Sequence, residues 1–183
     1  MRWALLFLVA CNNPATEPGP DGPVPQPPPK EDDVRLLPLR ADRTWTYDVT
    51  STYGSCPSGV VEQRVLGTET VDGRDVFRVR GFCGSEGRTF VDGDTVEDYY
   101  DWGPLGWTRQ LDEPVEDGHT WTTTNGSATF GMHYERAEGA DCWTVVQEVS
   151  YTSTWTYCRG VGLTRFEMID LAGGTIRATL REP

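Results

Sequence analysis

Lysine is nearly missing from this 183-residue chain: Lys30 is the single one beside fifteen arginines. Acidic residues outnumber basic ones, 28 to 16, giving a formal net charge of −12. Nucleic acid and anionic lipid surfaces would repel such a chain, so neither is expected as a partner. The acidity reads as solubility, and the arginine excess as codon usage in a GC-rich genome. Histidine occurs only at His119 and His133, and no C-x-x-C is present. These are too few ligands for zinc, and no metal or cofactor is expected. The chain lacks a G-x-S-x-G elbow, a phosphate-binding glycine loop, H-E-x-x-H and S-x-x-K. Without those signals the expectation is a protein that is not an enzyme. No segment keeps a helical apolar period, and no apolar run approaches the roughly 20 residues of a spanning helix.

The strongest apolar run is short. Met1, Arg2 and Trp3 are followed by an apolar core at 4–10, the layout of a signal peptide with a brief hydrophobic region. The run stops at Cys11. Leu8, Val9, Ala10 and Cys11 resemble the bacterial lipobox, which implies cleavage after residue 10 and a thioether-linked diacylglycerol on Cys11. The residue after it is Asn12 rather than Asp, which in that resemblance implies the outer membrane. The expected address is the bacterial cell envelope, with the membrane as partner through the Cys11 anchor. Residues 11–33 hold most of the thirteen prolines and almost nothing apolar. Such a stretch cannot bury a core and reads as an extended spacer. Of five cysteines, Cys11 leaves Cys56, Cys83, Cys142 and Cys158, an even number suited to an oxidising compartment. The favoured connectivity is Cys56 with Cys83 and Cys142 with Cys158. A hairpin turning near Ser150 would bring the second pair opposite each other.

From Val34 onward the period is two. Trp45, Tyr47, Val49 and Tyr53 share one face, as do Ala128, Phe130, Met132 and Tyr134, and Ile176, Ala178 and Leu180. Hairpin signals fall at Asp72–Gly73, Asp92–Gly93, Asn125–Gly126 and Gly173–Gly174. The spacing predicts one all-β domain over 34–183: an antiparallel sheet of about ten strands, as a sandwich or half-barrel. Residues 38–47 and 114–123 also echo each other, aligning Pro38 with Pro114, Asp42 with Gly118 and Trp45 with Trp121. Two related halves, 38–113 and 114–183, are expected from this echo. Pro38, Leu39, Trp45 and Tyr47, with the later Tyr157 and Gly160-Val161-Gly162, resemble a broad group of uncharacterised bacterial β-rich lipoproteins. Their pattern is a Pro-Leu-x-x-Gly-x-x-Trp-x-Tyr start and a late Gly-Val-Gly. Asp42 stands at the glycine position, and the resemblance implies no catalytic residues.

The richest functional stretch is 92–107, where Asp92, Asp94, Glu97, Asp98 and Asp101 mix with Tyr99, Tyr100, Trp102 and Trp107. Aromatic faces beside carboxylates suit a glycan: rings stack on C–H faces and carboxylates accept hydroxyl hydrogens. Asp98, Tyr99, Tyr100, Asp101, Trp102 and Trp107 are the candidate ligand-binding residues. The plainer expectation for this stretch is a hairpin with an acidic outer edge and aromatics turned inward. His133, opposite Phe130 and Met132, is expected to face solvent, and His119 to begin a strand. The chain is thus read as a lipid-anchored β domain with a binding or structural role. One alternative is a carrier of a lipid or other hydrophobic ligand, in which many of the seven tryptophans line a pocket. A second is a carbohydrate-binding or hydrolytic module using 92–107.

Overall fold

Threonine, valine and aromatic residues in strict alternation cannot close a helix face, but they fit a pleated sheet with one side buried. The computed structural model describes residues 33–100, 106–125, 128–148, 152–169 and 171–181. The apolar run at 4–10 expected to be a signal peptide, Cys11 and the proline-rich stretch to residue 32 lie outside the described residues. So do Asp101, Trp102 and the side chain of Tyr100.

Twelve antiparallel strands form one sheet, and no helix occurs among the described residues. In chain order they are β1 (Thr44–Ser51), β2 (Gly59–Val71), β3 (Arg74–Arg80), β4 (Glu86–Asp92), β5 (Thr95–Tyr100) and β6 (Gly106–Leu111). The second set is β7 (Thr120–Asn125), β8 (Ala128–Arg136), β9 (Cys142–Glu148), β10 (Thr152–Cys158), β11 (Gly162–Ile169) and β12 (Thr175–Leu180). Their spatial order is β6-β5-β4-β3-β2-β1-β12-β11-β10-β9-β8-β7. The all-β antiparallel expectation holds in its barrel-like form, with twelve strands where about ten were expected.

Two six-stranded meanders, β1–β6 and β7–β12, meet at the β1–β12 ladder, which pairs Tyr47 with Leu180 and Val49 with Ala178. At the far side β6 and β7 come together without a strand-to-strand ladder, nearly closing the wall. Side chains bridge that seam: the Thr108 hydroxyl donates to Thr124 O at 2.8 Å, and Trp121 Nε1–H donates to Arg109 O at 3.5 Å.

The echoed segments have the same local build. Asp42 and Gly118 both take positive φ, 62° and 77°, a region that small or locally hydrogen-bonding residues tolerate best. One residue later, Arg43 N–H bonds Arg40 O and His119 N–H bonds Glu116 O, each at 3.2 Å. Trp45 and Trp121 then follow as buried anchors. Asp72 (φ 50°) and Gly73 (φ 76°) make the two-residue turn between β2 and β3, matching the right-handed twist of the strands. Between β4 and β5 the turn is Gly93 and Asp94, one position later than the Asp92–Gly93 signal, because Asp92 still pairs with Thr95. Gly126 lies outside the described residues.

Inside the wall, Trp45, Tyr47, Val65, Leu111, Trp121, Met132, Tyr134, Trp143, Val145 and Phe166 are buried. Each large apolar side chain so placed contributes about 1.5–3 kcal/mol. One end of the barrel is covered by segment 33–43, whose Leu36 and Leu39 are fully buried. Arg43 donates to Pro38 O, Gly160 O and Val161 O, Trp45 Nε1–H to Val161 O at 2.8 Å, and Tyr47 Oη to Leu163 O at 2.7 Å. The Pro-Leu…Trp-x-Tyr start and the Gly-Val-Gly motif are therefore joined in space. Disulfides link Cys56 with Cys83 and Cys142 with Cys158. The second pair sits directly opposite across the β9–β10 hairpin, in the expected register.

Candidate functional site

The interior is not solid. A chamber of about 420 Å³ is walled by Leu39, Val79, Phe82, Val96, Trp155, Tyr157 and Leu163, among others. Segment 33–43 and Leu163 form its floor. The exposed wall residues Ser85 and Glu86 mark a mouth at the other end of the barrel, beside turn 81–85. Phe82 folds inward from that turn, its ring 5.6 Å from Tyr47 and 5.4 Å from Phe166. The Cys56–Cys83 bridge fastens the same turn to the β1–β2 connection.

Strand register decides what faces the chamber. Thr89 on β4, Asp98 on β5 and Thr108 on β6 are direct neighbours across the sheet, and Thr89 and Thr108 are buried. Asp98 shares their inward face. Thr89 Oγ1 donates to Asp98 Oδ1 at 2.6 Å. Asp98 is half-buried and lines the chamber. Burial, only partly opposed by the Thr89 hydrogen bond, pushes its carboxyl up to about 6. Tyr157 on the opposite wall is pushed well above the usual phenol range by the same loss of solvent, with the Asp98 charge adding to it. Gln63, on β2 opposite Trp45, also lines the chamber, and its Oε1 is buried with no hydrogen-bond partner.

Tyr99 and Trp107 are cross-strand neighbours on the outer face, ring centroids 5.2 Å apart. Arg74 lies over Trp107 at 4.7 Å and over Phe90 at 5.1 Å while pairing with Glu97 at 2.5 Å. The expectation of aromatics inward and acids outward is thus reversed at Asp98, Tyr99 and Trp107. An inward Asp98 follows Val96 at the period of two, a signal readable beforehand; the Thr89, Gln63 and Tyr157 contributions depend on long-range pairing. The acidic stretch does not converge either. Asp94 turns to the floor, accepting from Leu36 N–H at 2.9 Å and from Arg159 at 2.6 Å, while Glu97 faces outward. Among the described residues no three potential metal ligands gather.

Tryptophan does not line the chamber as the carrier alternative expected. Trp45, Trp121 and Trp143 are in the packed core, Trp107 is outside, and Trp155 alone of those described contributes to the wall. His133 is half-buried, with Nε2 3.2 Å from Glu135 Oε1. His119 precedes β7, stacks on Trp121 and lies 3.1 Å from Asp112 Oδ2. Asp112 also accepts from Arg109, and its N–H bonds Tyr134 Oη, so this pair braces the β6–β7 connection.

No protein-family model and no curated protein matches the chain. Among solved structures it is similar to a candidate lipoprotein from Parabacteroides distasonis, at 11% identity and a TM-score of 0.39 over 82% of this chain and 99% of that one. A likeness at that level carries no argument about fold or function.

Proposed function

We propose that this chain is a lipid-anchored domain of the bacterial cell envelope that binds a small, largely apolar molecule inside its barrel, with no chemical step. The chamber carries the reading: about 420 Å³ of space walled by apolar and aromatic side chains interspersed with polar groups such as Gln63, Thr89, Asp98 and Gln110, a size and a mix that suit a small-molecule site. The lipobox-like Leu8–Cys11 sequence and the two disulfides support the envelope address. The glycan and hydrolase readings lose support because Asp98 and the Tyr99–Trp107 pair occupy opposite faces of the sheet.

Gly87 supplies the test. It lies on the inward face of β4, lines the chamber, and a Cβ built there meets nothing within 4 Å. Titration with the neutral fluorophore 1-N-phenylnaphthylamine should give saturable, blue-shifted emission with one molecule per chain. Gly87→Phe should abolish the signal while the unfolding midpoint is kept. Equal emission from both proteins would place the fluorophore elsewhere and defeat the reading. Native mass of protein extracted from host membranes tests the anchor: it should begin at Cys11 with acyl chains attached. An unlipidated mass would remove the membrane part of the proposal.

A further inference from the structure

Asp98 has an unusual position for a carboxylate. Among the described residues it pairs with no arginine, and its one hydrogen bond is the Thr89 hydroxyl on Oδ1. Elsewhere in the molecule carboxylates are well supplied: Glu97 binds Arg74 and Arg109, Asp94 binds Arg159, and Glu167 binds Arg165 and Arg177. A buried charge without a partner is costly and is normally neutralised or paired. The same chamber holds a second acceptor, Gln63 Oε1, buried and unpartnered. A buried acceptor with no donor is costly, because it has given up water for nothing. Asp98 is met by the Thr89 hydroxyl at Oδ1 alone, and Gln63 Oε1 by no donor, so the cavity lacks donors and positive charge.

We infer that the chamber is built for an apolar primary amine, whose ammonium N–H groups donate to Asp98 while its hydrocarbon body lies against the apolar wall. The inference rests on the binding role proposed above and specifies its ligand class. An ammonium offers three donors and a positive charge, so it suits the one carboxylate oxygen, Asp98 Oδ2, that lacks a partner. Phe82, Trp155 and Tyr157 supply aromatic faces that favour a cation further. A carboxylate or phosphate ligand would meet Asp98 with like charge and Gln63 Oε1 with no donor. A quaternary ammonium has the charge but no N–H, and would leave both acceptors unmet. A metal ion would find Asp98 without a second free carboxylate, because Glu86 at the mouth is already paired with Arg78 and Arg80, a poor donor set.

The experiment uses the full chain at pH 7.5 and compares three probes by calorimetry: octylamine, octan-1-ol and octyltrimethylammonium. 1-N-phenylnaphthylamine reports whether the chamber accepts apolar molecules at all. Octylamine should bind about tenfold or more tightly than octan-1-ol, the ratio expected for a charge-assisted hydrogen bond in a desolvated site. Octyltrimethylammonium should bind more weakly than octylamine. In Asp98→Asn, shown to be folded by its cooperative thermal unfolding, octylamine and octan-1-ol should bind alike. Equal binding of octylamine and octan-1-ol by the wild-type chain, with the fluorophore still taken up, overturns the amine inference and leaves the carrier reading standing. So does a preference that survives in Asp98→Asn, or octyltrimethylammonium binding as tightly as octylamine. Failure to take up the fluorophore overturns the carrier reading, and the amine inference falls with it.

Discussion

The hydroxyl of Thr108 on β6 donates to the carbonyl of Thr124 on β7 at 2.8 Å, a side-chain bond crossing the one place where the barrel wall lacks a ladder. Thr108 is 5% exposed, so water cannot easily replace it. Thr108→Val keeps the shape and deletes the donor, leaving the Thr124 carbonyl short of a partner. The expected cost is about 1–3 kcal/mol, read as a lowered urea midpoint. Amide exchange should speed up in β6 and β7 before it does in β1 and β12. Uniform acceleration across all twelve strands would show that the seam is no weaker than the rest.

Stability should also report Asp98. Its carboxyl rises from an ordinary 3.8 to about 6 because burial penalises the charge. Between those values the folded chain binds a proton that the unfolded chain releases, so this group's contribution to stability falls as pH climbs from about 4 to 6 and stays low above that. Tyr157, the titratable neighbour across the chamber, stays neutral throughout. Asp98→Asn should therefore be more stable than wild type at pH 8 by about 1–3 kcal/mol, with the gain vanishing near pH 4. Thermal unfolding at both pH values checks this; a gain of the same size at each would mean that ionisation is not involved.

The disulfides close loops of different size, with separations of 27 and 16 residues. Replacing either pair by serine should cost about 3 kcal/mol. Only Cys56→Ser with Cys83→Ser should also release turn 81–85, and with it the Phe82 ring between Tyr47 and Phe166. Near-ultraviolet circular dichroism would register that loss. A spectrum unchanged in this variant would show that Phe82 is held by packing alone.

At the floor, Asp94 holds both Leu36 N–H and the Arg159 guanidinium, which in turn donates to Val34 O at 3.1 Å. Asp94→Ala removes the hub of that arrangement. The expected loss is about 1–2 kcal/mol in global stability. Exchange of the Leu36 amide should rise further than the global change explains, and a Leu36 rate that merely tracks global unfolding would show that segment 33–43 is fixed by its leucines.

Much of this architecture is readable in the chain because alternation is strict where one face is buried. Trp45, Tyr47 and Val49 announce β1, and the equal distances of Cys142 and Cys158 from residue 150 announce their pairing. Alternation is lost where the wall changes register. In β2 the pairing with β3 skips Leu66, between Val65 and Gly67, and in β6 the pairing with β5 skips Gln110, between Arg109 and Leu111. Each slip moves residues to the other face without a local sequence cue. For 92–107 the period of two is visible, and two signals disagree about which side is inside. Charge argued that aspartate faces water, whereas Val96 at the preceding inward position fixes Asp98 within. Gln63 and Gly87 gave no signal by themselves, because a chamber is a property of strands distant in sequence.

The wall is uneven in one respect that its regular topology hides. Facing the interior, β4 and β5 contribute Gly87, Thr89, Val96 and Asp98, whereas β8 to β11 contribute Met132, Tyr134, Trp143, Val145, Trp155 and Phe166. A wall that is nearly symmetric in backbone is thus lopsided in side-chain bulk, and the empty volume lies toward the lighter side. A vacancy of this kind needs no lengthened loop: small and polar residues on two neighbouring strands leave the room that bulkier ones elsewhere on the wall take up.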